Sequence, residues 1–301
     1  MKNSVPLGLL PEGLHDTLSP AAEQEFGTVV KLMTCFTSHG YEQVAPPVVE
    51  FEESLLAGMG VVESERMFRV MDPSSHKMMG VRTDMTTQVA RIATTRLKGV
   101  PRPLRLCYAG QVLRTKGGQV RTEREIGQAG IELIGITTVA AEAEVLLLAA
   151  EALRAVGVEA FNIDLTLPKL VPAICDGMGA NAATAERARA ALDQKHIAAL
   201  EALDGDLGAV LRQLSSAAGP AENALKTLRA LTVPDKAAVM IKNLDALVAE
   251  VLSAAPSLEL TIDAGEYRGF EYHTGVGFTL FAAGQPSEVG RGGHYLVNAD
   301  G

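Results

Sequence analysis

The sequence predicts an α+β protein, in which an antiparallel sheet is flanked by helices and carries a helical insertion. Segments with alternating or β-branched residues predict strands at 104–113, 130–136, 258–263 and 275–281. Of the 8 Phe and 5 Tyr residues, only Phe161 lies within 137–258, a stretch rich in the helix formers Ala, Leu and Glu. A chain of 301 residues, 47% of them apolar, is long enough to bury a core without a disulfide or metal.

The first elements follow from local signals. Residues 26–39 are apolar at helical spacing, and Gly40 is typical of a helix C-cap. A short strand at 41–44 then ends at Pro46-Pro47. A basic loop at 115–122, which contains a Gly-Gly pair, separates the strands at 104–113 and 130–136.

The second half of the chain is predicted to be mostly helical. Helical spacing predicts helices at 138–156, 182–203 and 236–252. We therefore divide the chain into a core of residues 1–165 and 258–301 and a helical insertion of residues 166–257. Strands of an antiparallel type, combined with helices and a helical insertion, indicate an α+β class.

The charge is unevenly distributed. The chain carries 27 basic and 36 acidic residues, a formal charge of −9, which argues against a strongly basic nucleic-acid binder. Residues 1–136 hold 15 bases and 15 acids, whereas residues 82–124 hold ten bases and two acids. This local basic cluster suggests recognition of phosphate or carboxylate at one site.

Cysteine usage and the apolar runs predict a soluble cytoplasmic protein. Cys35, Cys107 and Cys175 are widely spaced, which disfavours a disulfide framework and favours a reducing compartment. The N-terminal apolar run is too short for a signal peptide, and Val145–Leu148 is far shorter than a membrane span of about 20 residues. We expect no cofactor and no metal, because His15, His39, His76 and His196 have no ligand spacing.

Four segments are candidates for binding chemistry, each with a plainer alternative. The loop from Arg114 to Arg124 could converge on an anion or be a solvated hairpin. Gln128 and Glu132 share one strand face, with Gly130 between them leaving room for a small polar ligand, or that face is simply exposed. Asp84 could bind a ligand or cap the following helix.

The fourth segment combines residues 265–275 with residues 290–295. An arginine, a carboxylate and aromatic residues cluster there among glycines. Gly290-Arg291-Gly292-Gly293 is similar to a phosphate-binding loop in composition only, because it lacks the Lys-Ser/Thr of a P-loop. The glycines could instead serve turns or close backbone approach.

Taken in order, these segments resemble the catalytic domain of histidyl-tRNA synthetases, a class II aminoacyl-tRNA synthetase family. Residues 11–16 resemble the opening of that family, residues 41–47 its motif 1, and residues 113–116 and 128–132 its motif 2. Residues 268–275 resemble its histidine-specific signature, and residues 292–295 the glycine strand that follows. The resemblance implies a class II synthetase-like antiparallel sheet and covers nearly the whole chain.

Departures from that pattern point to a second family. Lys116 stands where synthetases carry a glutamate that contacts adenine, and His273 replaces the second signature tyrosine. The sequence stops at Gly301, before the place of motif 3, and we expect no anticodon-binding domain. This combination resembles the regulatory subunits of ATP phosphoribosyltransferase, which are synthetase paralogues of histidine biosynthesis.

The resemblance implies both partners and site residues. It implies a homodimer within a hetero-oligomer that contains short-form catalytic subunits, with L-histidine as a ligand, no tRNA and no membrane. By matching position, the residues that would bind histidine are Asp84, Thr86, Arg114, Gln128, Glu132, Arg268, Tyr272 and His273. Lys116, Arg121 and Arg124 stay open between contact with an anion and contact with a partner.

The resemblance predicts a non-catalytic subunit that activates the phosphoribosyltransferase and takes part in feedback inhibition by histidine. Arg114 and Arg268 leave open a histidine-activating enzyme, either a synthetase or a free-standing paralogue. A plain histidine-binding module without a partner is a third hypothesis.

Overall fold

The computed structural model describes residues 8–56, 65–118, 120–203, 205–267 and 272–297. The chain divides into two compact units, with the boundary inside one long helix. Unit 1 comprises residues 1–136, 151–157 and 297–301, and unit 2 comprises residues 137–150 and 158–296. Both contain helices and mainly antiparallel strands, so the predicted α+β class is confirmed.

Unit 1 consists of two small sheets and the helices packed on them. Its elements are α1 Ala21–Ser38, β1 Glu42–Gln43, β2 Val49–Phe51, α2 Glu52–Leu56, β3 Arg69–Met71, β4 Met78–Val81, α3 Thr86–Thr95, β5 Leu104–Leu113 and β6 Glu125–Ile134. One sheet has the order β1-β5-β6 and the other β2-β4-β3. The β5–β6 hairpin is antiparallel throughout, whereas β1 runs parallel to β5.

The core of unit 1 lies between α3 and the β5–β6 hairpin. Val89 and Ala93 of α3 are fully buried against Leu104, Leu106 and Tyr108 of β5. These three residues alternate along β5, so they form one apolar face of the strand, and the residues between them point to the opposite face. The packing fixes the first residues of α3 next to the middle of the hairpin.

Unit 2 is a five-stranded sheet with a large helical segment. Its elements are α4 Val139–Ala155, which runs into unit 1, β7 Phe161–Thr166, α5 Leu170–Gly177, α6 Ala182–Asp193, α7 Ile197–Glu201, α8 Gly205–Ser215, β8 Gly219–Pro220, α9 Ala221–Ala230, α10 Asp235–Ala254, β9 Glu259–Ile262, β10 His273–Ala282 and β11 Gly290–Tyr295. The strand order is β11-β10-β7-β9-β8.

The helical insertion connects two neighbouring strands. β7 and β9 pair in parallel, and parallel strands need a long connection, here the helices α5 to α10 with the short β8. Buried leucines such as Leu170, Leu211, Leu244 and Leu247 form the helical core. Among the described residues, no helix is long and apolar enough to span a bilayer.

Several predicted boundaries differ from the structure for local reasons. The helix predicted at 182–203 is two helices, α6 and α7, because Lys195 takes a left-handed conformation with φ of 51°. The strand predicted at 130–136 begins earlier, at Glu125, because the hairpin pairs along its whole length. Gly40, with φ of 79°, ends α1 as predicted.

Candidate functional site

Asp84, Thr86 and Gln128 form a hydrogen-bonded group at the start of α3. Gln128 Nε2 donates to Asp84 Oδ2 at 2.9 Å, and Gln128 Oε1 accepts from the backbone N–H of Met85 at 2.9 Å. Asp84 Oδ1 accepts from the backbone N–H of Thr86 at 2.7 Å. Asp84 therefore satisfies an otherwise unpaired N–H of the first helical turn and also joins α3 to β6. The helix-capping interpretation of Asp84 therefore applies, and a role of the same side chain in ligand binding stays a prediction.

Tyr108 extends this group to Glu132. Its hydroxyl donates to Glu132 Oε1 at 3.2 Å and lies 3.2 Å from Thr86 Oγ1. The Tyr108 side chain is only 3% exposed, and its ring packs in the core below α3. Burial raises its pKa well above the ordinary value, and the Glu132 and Asp84 carboxylates add to this effect. The hydroxyl therefore remains a neutral donor.

Gly130 makes room for Tyr108. The two residues are paired across the β5–β6 hairpin, and a Cβ at position 130 would lie 2.6 Å from the Tyr108 hydroxyl oxygen. The space beside Gly130 is therefore filled by a side chain of the protein itself, whereas we had expected it to be open to a ligand. Sequence reasoning missed Tyr108, although its position on the apolar face of β5 was available as a signal.

Chemically, this group is suited to a ligand with N–H donors. Two carboxylates, an amide and two hydroxyls meet where α3 approaches the hairpin. Glu132 is 8% exposed, so its carboxylate lies in surroundings of low polarity. Carboxylates in such surroundings bind an ammonium or imidazolium group more strongly than they would in water.

The basic loop between β5 and β6 is tied to the N-terminal segment through Arg124. Its Nη1 donates to the carbonyl of Glu12 at 3.0 Å and its Nε to the carbonyl of Arg114 at 3.2 Å. The guanidinium also stacks on Phe68 at 4.8 Å from the ring centroid. An anion would therefore have to use the remaining donors of Arg124.

The other basic residues of the loop differ in environment. Arg114 is partly buried, and its buried Nε has no hydrogen-bond partner within the described part of the chain. Lys116 and Arg121 are exposed. Gly117 allows the loop to close tightly, because a Cβ there would lie 2.3 Å from the carbonyl oxygen of Thr122. The partner-free Nε of Arg114 is the feature of this loop most suited to an anion.

A second polar cluster connects α3 and the residues before it to the segment at residues 46–50. Arg82 is 5% exposed and donates to the carbonyls of Gln111 and Pro46 at 2.7 and 3.0 Å. Glu50 accepts from Gln88 Nε2 at 2.9 Å and from Arg91 Nε at 2.8 Å. Burial lowers the pKa of Arg82, and the nearby Glu50 opposes this. These contacts fix the Pro46-Pro47 segment and have a structural role.

Unit 2 contains the remaining predicted positions. His273 is buried and Tyr272 is 53% exposed, and their ring centroids lie 4.0 Å apart. Tyr295 meets Tyr272 edge-on at 6.1 Å. Arg268 lies outside the described residues, and so do residues 269–271 of the signature segment.

The glycine-rich segment 290–293 is strand β11, and its glycines allow close packing. A Cβ at Gly292 would lie 2.4 Å from the Phe278 ring, and one at Gly290 would lie 3.0 Å from Leu280. The close-approach interpretation therefore applies to these two glycines. Nearby, Glu142 raises the pKa of His294 through a hydrogen bond, with 3.5 Å between Nδ1 and the carboxylate.

Comparison with known proteins relates this fold and site to a family. The histidyl-tRNA synthetase family model matches residues 13–301. The ATP phosphoribosyltransferase regulatory subunit of Paramagnetospirillum magneticum is 55% identical over 98% of this chain and 78% of that protein. The chain belongs to the family of ATP phosphoribosyltransferase regulatory subunits.

Solved structures share the fold of this chain. A Bacillus halodurans protein, described as an ATP phosphoribosyltransferase regulatory subunit/histidyl-tRNA synthetase, is 26% identical with a TM-score of 0.86 and covers 97% of this chain and 77% of that one. A chain of the HisG:HisZ complex of ATP phosphoribosyl transferase from Thermotoga maritima has a TM-score of 0.70 at 17% identity, over 91% of this chain and 93% of that one. The class II synthetase-like fold predicted from the sequence is thereby confirmed.

Within this regulatory-subunit fold, the unit 1 residues that are predicted to bind histidine form two sets. Asp84, Thr86, Gln128 and Glu132 are joined by hydrogen bonds directly or through Tyr108. Arg114 lies at the end of the same hairpin, just after β5. That these residues bind histidine remains a prediction.

Proposed function

We propose that this chain is a non-catalytic subunit that binds the short-form catalytic subunit of ATP phosphoribosyltransferase, raises its activity and relays inhibition by histidine. The observation that carries the proposal is the hydrogen-bonded group of Asp84, Thr86, Gln128 and Glu132, combined with Lys116. The first supplies acceptors for an amino acid, and the second places a cation at the position where the resemblance implies an adenine-contacting glutamate. Family membership supports the catalytic subunit as partner.

The Asp84 carboxylate supports a cationic ligand. Both of its oxygens accept hydrogen bonds from neutral groups, the amide of Gln128 and the backbone N–H of Thr86. A carboxylate oxygen can accept more than one hydrogen bond, so these bonds orient Asp84 while leaving capacity for an ammonium. An α-amino group or an imidazole would supply the donors.

Lys116 supports loss of adenylation. Its side chain is exposed on the loop after β5. An ammonium can donate but cannot accept, so it cannot replace a carboxylate that accepts from an adenine amino group. The partly buried Arg114, with its partner-free Nε, remains suited to the carboxylate of histidine.

The proposal includes the assembly and its location. We place residues 1–165 and 258–301 in the synthetase-like core and residues 166–257 in the insertion. The parallel pairing of β7 with β9, which flank the helical segment, supports this division. We further propose a homodimer within the hetero-oligomer, in the cytoplasm, where the three cysteines form no disulfide.

Reconstitution with the cognate catalytic subunit tests the function. Mixing the two chains should give a complex on size-exclusion chromatography and should raise phosphoribosyl transfer to ATP, and added histidine should reduce that rate. A folded sample that neither binds the catalytic subunit nor raises its rate would refute the regulatory role. Activation without any effect of histidine would refute only the feedback part.

The histidine site is tested by Glu132→Ala, with Glu125→Ala as the matched control. Both residues lie on β6, but Glu125 is exposed and Glu132 is buried beside Tyr108. Glu132→Ala should weaken histidine binding by about tenfold or more in calorimetry, equivalent to about 1.4 kcal/mol. Equal affinities for the two variants would remove Glu132 from the site.

A histidine-activating enzyme is the second candidate, and the observation that favours it is the Arg114 Nε, which has no hydrogen-bond partner among the described residues. Such an enzyme would catalyse histidine-dependent exchange between ATP and pyrophosphate. Exchange that is lost in Arg114→Gln would support this candidate over the first. Its absence in a folded, histidine-binding sample would count against it.

A further inference from the structure

Three metal-ligating side chains meet at the C-terminal end of α1, in a part of unit 1 that the proposed function does not use. Cys35 and His39 are four residues apart, so they lie on the same side of the helix end, and Glu151 of α4 faces them. The sulfur of Cys35, a ring nitrogen of His39 and a carboxylate oxygen of Glu151 all lie within 4.8 Å of one another.

The orientation of the His39 ring matches that of a metal ligand. Nδ1 lies 3.0 Å from the backbone carbonyl oxygen of Cys35, and Nε2 lies 3.2 Å from Glu151 Oε2. A carbonyl that accepts from Nδ1–H fixes the tautomer and leaves Nε2 as the basic nitrogen, the usual arrangement of metal-bound histidine.

The spacing of the ligand atoms also suits a tetrahedral ion. With metal–ligand bonds of about 2.0–2.3 Å, neighbouring ligand atoms of a tetrahedron lie about 3.3–3.6 Å apart. The separation of 3.2 Å between His39 Nε2 and Glu151 Oε2 is already close to that value. Contraction of the other separations from the 4.8 Å limit, by up to about 1.5 Å, would complete the set.

We propose that Cys35, His39 and Glu151 form a binding site for a divalent transition-metal ion of the zinc type. A thiolate and an imidazole prefer zinc, cobalt or copper, whereas magnesium and calcium require oxygen ligands. Three protein ligands leave the fourth tetrahedral position to water. A bound ion would link the end of α1 to α4.

Two other roles for these side chains explain the geometry less well. In a cysteine–histidine nucleophile pair, one ring nitrogen must face the thiol, but both His39 nitrogens face oxygen atoms. Cys35 is also only 8% exposed. A simple His39–Glu151 ion pair would contribute at most about 1 kcal/mol, because both side chains are exposed, and it would give the cysteine no role.

Cobalt titration of the metal-free 301-residue chain tests the proposal. A site with a cysteine ligand should give a thiolate-to-cobalt charge-transfer band in the near ultraviolet at one ion per chain, and zinc should remove it. Cys35→Ala should abolish the band, and the matched variant Cys175→Ala, another buried free cysteine, should retain it. A band that persists in Cys35→Ala would refute this site.

The exposed ligands provide a second test that does not depend on changing a buried residue. His39→Gln and Glu151→Gln should each weaken cobalt binding at least about tenfold, since even changes in the second coordination sphere have effects of that size. The exposed His15 and Glu159 supply the controls His15→Gln and Glu159→Gln, which should bind as the unaltered chain does. Absence of a band in the folded chain, or unchanged affinity in both ligand variants, would overturn the proposal.

Discussion

Two clusters of carboxylates, one in each unit, are held by different kinds of partner. In unit 1, neutral groups donate to Asp84 and Glu132: the Gln128 amide, the Thr86 backbone and the Tyr108 hydroxyl. In unit 2, Asp263 binds the ammonium group of Lys195, with 3.1 Å between the charged atoms. In these contacts Asp84 accepts hydrogen bonds from neutral donors, whereas Asp263 pairs with a cation.

The cluster of unit 2 brings three acids close to that one lysine. Burial raises the pKa of Asp164 and of Glu266, repulsion by Asp263 adds to both shifts, and repulsion by Asp164 adds to that of Glu266. Lys195 lowers both pKa values, and the Thr261 hydroxyl donates to Asp164. Lys195 therefore offsets part of the negative charge of this cluster within the unit.

The comparison shows which carboxylates can bind a cationic ligand favourably. A carboxylate that already pairs with a lysine gains little from a second cation, whereas one oriented by neutral donors retains its charge for a ligand. Asp84 is of the second kind. On this basis we propose that Asp84 contributes to the histidine site and that the Lys195 cluster has a structural role.

Replacing Gly130 should disrupt the unit 1 cluster most strongly. In Gly130→Ala, the new Cβ would lie 2.6 Å from the Tyr108 hydroxyl oxygen, and the ring is held by the core and cannot easily move. We expect a loss of about 2–3 kcal/mol in the free energy of unfolding, as for other overpacked sites, measured by urea denaturation.

Gly99→Ala is the matched control for that change. A Cβ at Gly99 would meet nothing within 4 Å, so the variant should be within about 0.5 kcal/mol of the unaltered chain. Equal stability of the two variants would show that Tyr108 does not occupy the space beside Gly130. Histidine affinity should fall only in Gly130→Ala.

Tyr108→Phe should have the next largest effect. The change removes the hydroxyl that donates to Glu132 and contacts Thr86 while keeping the ring in the core. A lost hydrogen bond to a charged group should reduce the free energy of unfolding by about 1–2 kcal/mol. Histidine binding should weaken in calorimetry, and unchanged stability together with unchanged affinity would contradict the bridging role.

Much of the fold could be predicted because local patterns determine it. The alternation at 104–113 predicted β5, and Gly40 predicted the end of α1. The break at Lys195 could not be predicted, because a lysine with positive φ is stabilised by its contact with Asp263, a residue distant in the sequence. Local propensity contains no information about such a contact.

The candidate site was predictable in part, for a similar reason. The alternation of Gln128 and Glu132 on one strand placed them on the same face, and the resemblance supplied Asp84 and Thr86. Tyr108 was missed because it belongs both to the apolar face of β5 and, through its hydroxyl, to the polar group. The metal-ligating trio was missed because Glu151 joins Cys35 and His39 only in the folded chain.

Asp164→Asn in unit 2 should raise the free energy of unfolding at pH 7, whereas the two unit 1 changes should lower it. Because the folded chain raises the pKa of Asp164, its contribution to stability is full below the ordinary value of 3.8 and is lost as the pH rises through the raised value. Asparagine can still accept from Thr261 but carries no charge. Stability at pH 7 should therefore rise, by less than about 1 kcal/mol, and the decline between about pH 4 and pH 7 should become smaller.

Asp245→Asn supplies the contrast for that pH profile. Arg229 holds the pKa of Asp245 below its ordinary value, so that carboxylate contributes stability above the ordinary pKa, and the contribution is lost as the pH falls. Its replacement should lower stability at pH 7. If both variants shifted stability in the same direction, the assignment of Asp164 to a repulsive cluster would be wrong.

Lys195→Met should have the smallest effect on stability and an informative effect on pH dependence. The lysine side chain is 73% exposed, so loss of its ion pair with Asp263 should reduce stability by at most about 0.5 kcal/mol at neutral pH. Because Lys195 lowers the pKa values of Asp164 and Glu266, its removal should raise them further. The decline in the free energy of unfolding between about pH 4 and pH 7 should then become steeper.

Lys226→Met, at an exposed helical position, is the control and should leave the pH profile of stability unchanged. Asp164→Asn and Lys195→Met thus predict changes of opposite sign in one measured slope, and a shared sign would mean that Lys195 does not neutralise this cluster.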